Sequence, residues 1–288
     1  MAEEKEIVEE QKTKDPSTSK SEEIEEKEIL EPEEKIVKEI KKGREREKKS
    51  FDKEGWKPKT QLGKDIKEGK ISDIGEILDK GLKILEAEIV DALLPNLNTD
   101  LLLIGQSKGK FGGGQRRVFK QTQKKTQEGN KPKFSTLAVV GNEDGYVGVG
   151  SGKSKETVPA REKAIRNAKL NLIKIRRGCG SWQCGCKEPH TVPFKVRGKC
   201  GSVVIELMPA PKGTGLCVEP ECSKILKLAG IKDVWSKTGG QTGSKSNLIS
   251  ACMVALRNLM RTKVKQNQIE GIGIVEGVKP QQLKEENE

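Results

Sequence analysis

Apolar side chains recur along this chain with changing periods, and each change marks an element. Over residues 1–50 there is no period: a few Ile, Val and Leu residues stand among runs of Glu and Lys. Such a segment buries too little surface to offset chain entropy, so a disordered tail is predicted. From Trp56 the pattern becomes foldable. Ile74, Ile77 and Leu78 share one face of a helix predicted over Asp73–Leu82, with Ser72 as its cap. Pro95 and Asn96–Asn98 end that unit, and Leu101–Ile104 reads as a buried strand. Gln106–Lys133 has no apolar period and carries Gly112–Gly114, which predicts a long polar loop. Strands are predicted over Phe134–Val140 and Gly145–Gly150. A helix over Glu156–Leu172 follows, capped by Thr157 and striped by Ala160, Ala164, Ala168 and Leu172.

The second half repeats neither order nor sequence. His190–Val196 and Ser202–Met208 alternate as a strand pair turning at Gly198–Gly201. Ser223–Ala229 is a short helix closed by Gly230, and Val234–Ser236 a short strand. Asn247–Met260 is a helix whose Leu248, Cys252, Ala255, Leu256 and Leu259 point inward, and the chain is irregular from Lys263. The fold class is therefore α+β, with two small domains behind a tail. The expected divisions are 1–50 (charged extension), 51–95 (helical segment), 96–177 (a βββα domain), 178–189 (Cys-rich linker), 190–270 (second α+β domain) and 271–288 (tail).

Composition narrows the function. The 288 residues carry a formal charge of +12 and hold one His and one Tyr. That leaves little material for acid–base chemistry near neutral pH, so an enzyme is not expected. No apolar run of about 18 residues is present, and neither a membrane helix nor a secretory signal is expected. Acids outnumber bases 14 to 5 over residues 1–34, so the basic excess lies downstream. It clusters at Lys108, Lys110, Arg116, Arg117, Lys120, Lys124 and Lys125, then at Arg161, Arg166, Arg176 and Arg177. Such clusters neutralise phosphates, so nucleic acid is the expected partner.

Two motifs compete for other roles. Gly148-Val-Gly150-Ser-Gly152-Lys153-Ser154 looks like a phosphate loop, but Val147 stands where the first glycine is needed. A glycine-rich strand approached closely by another backbone is the plainer reading. Cys179, Cys184, Cys186 and His190 place three thiols and the chain's only His within twelve residues. Seven Cys without an expected export signal suit reduced thiols or metal ligands better than disulfides. One structural zinc is the cofactor this set suggests, with packing cysteines as the alternative. Cys200, Cys217, Cys222 and Cys252 are scattered and read as ordinary core or surface thiols.

Longer motifs go further. Leu137-Ala-Val-Val-Gly141-Asn-Glu-Asp-Gly145-Tyr-Val-Gly148, Lys155-Glu-Thr-Val-Pro-Ala160, His190-Thr-Val-Pro193, Pro209–Gly215 and Leu228–Trp235 occur in that order. Together they resemble the family of ribosomal small-subunit protein five over about residues 54–275. Trp56–Thr60 and Lys67–Ile74 resemble its archaeal and eukaryotic branch, and the Cys-rich segment from Arg177 is similar to the archaeal form. The resemblance implies that the βββα domain is double-stranded-RNA-binding-like and that the second domain is of the family's own type. It implies a structural, cytoplasmic role on 16S rRNA in the small subunit, near the messenger RNA path, with small-subunit protein four as neighbour. It also implies support of translation and decoding fidelity. The expected RNA-binding residues are Lys108, Lys110, Gly113, Gly114, Arg116, Arg117, Lys153, Lys155, Arg176 and Arg177. A free double-stranded-RNA-binding adaptor is the alternative. The acidic tail and the enlarged stretch Lys120–Lys131 depart from the family pattern.

Overall fold

A computed structural model describes residues 55–107 and 116–277 of the chain. The tail expected at 1–50, Gly112–Gly114 with Lys108 and Lys110, and residues 278–288 lie outside the described residues.

Three short helices lead in: α1 (Gln61–Lys67), α2 (Ile74–Asp79) and α3 (Ala87–Leu93). Only α2 was predicted. Its first flanking residue is Asp73, not Ser72, and it ends sooner than expected. The side chain of Thr60 caps α1 by accepting the Gly63 N–H, and the Glu86 carboxylate accepts the N–H groups of Lys59 and Thr60. Ile66, Ile74, Ile77, Ile89 and Val90 close these helices over Tyr146 and Leu172.

The first sheet contains β1 (Asn98–Leu102), β2 (Lys120–Thr126), β3 (Gly129–Gly141), β4 (Tyr146–Ser154) and β5 (Leu172–Lys174). β4 is joined to β5 by helix α4 (Thr157–Leu170). All the pairings are antiparallel. The flanking residue of α4 is Glu156 rather than Thr157. Why α4 can lie so close to the sheet is written in the glycines of β4. A Cβ on Gly150 would sit 2.1 Å from the Ala168 nitrogen, and one on Gly152 would sit 2.0 Å from the Ala160 oxygen. Ala160, Ala164 and Ala168 are fully buried against them. The close-approaching backbone is therefore the chain's own helix, and the glycines of the apparent phosphate loop are consumed by packing.

Within the long loop expected over Gln106–Lys133, residues 120–133 are a hairpin. Thr122 pairs with Lys133, Lys124 with Lys131 and Thr126 with Gly129, which carries a two-stranded ribbon past the rest of the sheet. Its side chains are almost all exposed. With no buried face there is no apolar alternation to read, which is why the sequence pattern resembled a loop.

A second sheet, in the order β7 (Val196–Cys200), β8 (Val203–Pro209), β10 (Val234–Gly239), β9 (Leu216–Cys217), packs under α5 (Pro220–Leu228) and α6 (Lys245–Arg261). The expected strand over His190–Val196 is displaced: β7 begins at Val196, and the turn falls at Gly201–Ser202. Gly198 lies inside β7, where a Cβ would meet the Ala251 oxygen of α6 at 2.1 Å. The stretch expected to be irregular contains α7 (Gln266–Ile272) and β11 (Val275–Glu276), which pairs with β6 (Arg176–Arg177).

The two halves share one core. Leu102, Val139, Val147 and Ile175 from the first pack with Ile205, Ile225, Leu226, Leu248 and Leu256 from the second. From residue 55 onward the described residues cluster as one compact unit, the two domains packed through this core. Cys222 and Cys252 are fully buried within it. The adjacent Cys252 thiol and burial push Cys222 far up, so it stays a protonated core thiol.

Candidate metal centre and nucleic-acid interface

Between Arg177 and Val196 the chain has no helix and no strand beyond one bridge, Gly178 to Thr191. Four side chains converge there. The Sγ atoms of Cys179, Cys184 and Cys186 and a ring nitrogen of His190 all lie within 4.8 Å of one another. Cys184 Sγ is 3.7 Å from His190 Nε2. Cys179 and His190 are buried, Cys184 is half-buried and Cys186 is exposed, so the cluster sits at the surface with its floor inside. The single spacer between Cys184 and Cys186 does not keep either sulfur away.

The sulfurs differ in character. Burial, with the neighbouring thiols, pushes Cys179 up to about 11, and its thiol donates to the Cys184 carbonyl at 3.0 Å. The backbone N–H groups of Lys212 and Cys186 hold Cys184 down at about 6, in its thiolate form near neutral pH. Thiolate, thiols and an inward imidazole nitrogen form a closed donor set of soft and borderline ligands, which is what a structural metal requires. Trp182 in this segment is fully exposed and packs on nothing. The order of the segment therefore does not come from an apolar core of its own.

The expected RNA-binding residues divide. Arg116 and Arg117 are exposed, and Arg116 lines a recess of about 530 Å³ with Lys120, Ser244, Lys245 and Ser246 at the start of α6. Lys153 and Lys155 are exposed and line a second recess, about 550 Å³, with Lys133 and Lys163. Arg176 and Arg177 do not belong with them. Arg177 is only 4% exposed. Its guanidinium donates to the carbonyls of Glu143, Gly230 and Gly277. Arg176 bonds the Glu276 carboxylate and the carbonyls of Leu259 and Thr262. Both arginines fasten the C-terminal strand and the second half to the first sheet, and these guanidinium donors serve those contacts.

The ribbon adds cations that a loop reading had left unplaced. Cross-strand partners point to the same side, so Lys120, Lys124, Lys131 and Lys133 share one face, beside Thr122. Lys153 pairs with Ser135, which pairs with Lys120, and so extends the same row across the sheet. Asp233, which touches His190, was also missed. It lies 43 residues from its partner, and no short-range pattern signals it.

Among proteins of known family, residues 115–176 match ribosomal protein S5, N-terminal domain, and residues 198–269 match ribosomal protein S5, C-terminal domain. The chain is 48% identical over 231 residues to the small ribosomal subunit protein uS5 of Methanococcus maripaludis, covering 80% of this chain and 96% of that protein. Against the Nanoarchaeum equitans protein of the same name it is 49% identical over 224 residues, covering 78% and 96%. Against that of Methanocaldococcus jannaschii it is 48% identical over 227 residues, covering 79% and 98%. With both domains matched in order and near-complete relatives aligned at almost half identity, the chain belongs to the ribosomal protein S5 family.

Proposed function

We propose that the protein is a structural component of the small ribosomal subunit, binding 16S rRNA through exposed cationic surfaces and performing no reaction. The observation that carries this reading is the near-complete alignment with archaeal small-subunit proteins at 46–49% identity. The surface chemistry agrees with it. Arg116, Arg117, Lys153 and Lys155 are exposed around recesses, as phosphate contacts require. Lys108, Lys110, Gly113 and Gly114 belong to the same proposed set by sequence. Small-subunit protein four as a neighbour, proximity to the messenger RNA path and a share in decoding fidelity are parts of the same proposal. Sucrose-gradient sedimentation tests it. The protein is expected to travel with the small subunit, whereas a free double-stranded-RNA-binding adaptor would stay near the top of the gradient.

The Cys179, Cys184, Cys186 and His190 cluster we assign to one structural zinc. The 3.7 Å between Cys184 Sγ and His190 Nε2 is close to the edge, about 3.5 Å, of a tetrahedron with Zn–S about 2.3 Å and Zn–N about 2.0 Å. When bound, the metal supplies order to a segment with almost no apolar surface, as folding free energy. Four protein ligands leave it no open position for catalysis. Purified protein is expected to carry about one zinc per chain by elemental analysis. Metal-free protein with an ordered 178–190 segment would reject the assignment.

A further inference from the structure

His190 is held from behind as well as from the front. Its Nδ1 lies 2.8 Å from Asp233 Oδ2, and the two side chains are 4% and 6% exposed. The other carboxylate oxygen is equally committed: Asp233 Oδ1 accepts the Gly213 N–H at 3.1 Å and the Gly215 N–H at 2.8 Å. The backbones are joined too, since the N–H groups of Lys232 and Asp233 donate to the His190 carbonyl at 2.8 and 3.1 Å. A carboxylate accepts only, so a neutral imidazole facing it must carry its proton on Nδ1. That leaves the Nε2 lone pair aimed at the three sulfurs. The Pro211–Gly215 turn thus reaches the nitrogen ligand through Asp233.

We propose that Asp233 is a positioning residue of the metal centre, acting through His190 to fix the tautomer and ring plane in which Nε2 can bind a metal. The proposal rests on the metal reading given above. The Pro211–Gly215 turn is the frame that holds this carboxylate, so the metal clips the Cys-rich segment to the second half of the fold. Carboxylates placed behind a ligating imidazole in this way change metal affinity by about 10–100-fold when removed.

The test is a double-mutant cycle on the full chain, with zinc affinity read by competition against a chromophoric chelator at one fixed pH. Asp233→Asn is expected to weaken zinc binding about 10–100-fold and to alter the visible spectrum of the cobalt-substituted protein. In a His190→Cys background the ligand is a thiolate that needs no tautomer, and Asp233→Asn is then expected to change affinity little. Unaltered zinc affinity in Asp233→Asn, with wild type binding one zinc, overturns the proposal and leaves the metal reading intact. An equal loss in both backgrounds overturns it as well, as does failure of Asp233→Asn to fold at saturating zinc, because either would show that the carboxylate serves the fold rather than the imidazole. Wild type that binds no zinc overturns the metal reading itself.

Discussion

Arg177 Nη2 donates to the carbonyl of Gly277 at 3.0 Å, across 100 residues of chain. The same guanidinium reaches Glu143 and Gly230, so one buried cation ties the turn after β3, the end of α5 and the C-terminal strand. Burial pushes its pKa down, with Asp144 opposing that shift, yet an arginine starts so high that the charge remains. Arg177→Met should destabilise the fold by roughly 1–3 kcal/mol for each carbonyl left without a donor, read by denaturant unfolding. RNA affinity of the still-folded variant should keep its salt dependence, because no phosphate contact is lost.

The glycines of β4 make a matching prediction about packing. Gly150→Ala places a methyl 2.1 Å from the Ala168 nitrogen, and only separation of α4 from the sheet can relieve that. A loss of about 1–3 kcal/mol or more is expected, measured by thermal unfolding. Lys153→Ala, one residue beyond that stripe and exposed, should leave stability nearly unchanged. Equilibrium dialysis with ATP should find no saturable site in wild type.

The elements and the site show what could be read from sequence and what could not. Elements with a buried face were legible. The alanine stripe of α4 and the apolar face of α6 were placed to within a few residues, because burial leaves a period. The ribbon 120–133 was not, since both its faces meet solvent. The four metal-ligand candidates were found because they are neighbours in sequence, while Asp233 was hidden by 43 intervening residues. Arg176 and Arg177 were misplaced for a related reason. A cation bonded to carbonyls far along the chain has the same local sequence signature as one facing phosphate.

Tyr146 offers a clean optical readout, since it is the only tyrosine of the chain. It is 5% exposed beneath α2. Burial first, then the carboxylates of Asp79 and Asp73, pushes its phenol up to about 12. The unfolded phenol ionises near 10. The contribution of Tyr146 to stability is therefore complete below about pH 10 and falls as pH rises toward 12. Tyrosinate absorbance should stay flat through pH 10 in native protein and rise near 12 or on alkaline unfolding. A native midpoint at 10 would show an exposed ring.

The ribbon and the base of its hairpin separate folding from binding. Lys124 and Lys131 stand directly opposite each other, and Lys133 follows on the same face. Like charges opposed across a two-stranded ribbon repel, and no apolar face compensates for them. Glu128 pairs with Lys131, which relieves only part of the strain. Such an arrangement is poor design for a free protein and sound design for one seated against a polyanion. Lys124→Glu should therefore have opposite effects on the two properties. Replacing the repulsive pair by an attractive one should stabilise the ribbon by about 0.2–1 kcal/mol, visible as slower amide exchange over 122–133. If the lysine face meets phosphate, the same change should weaken rRNA binding and lower the salt slope by about one contact. Arg116→Ala with Arg117→Ala should lower the slope by roughly 1.5–2 without slowing that exchange. A Lys124→Glu variant that binds rRNA with unchanged salt dependence would remove the ribbon from the interface, and leave Arg116, Arg117, Lys153 and Lys155 to carry it.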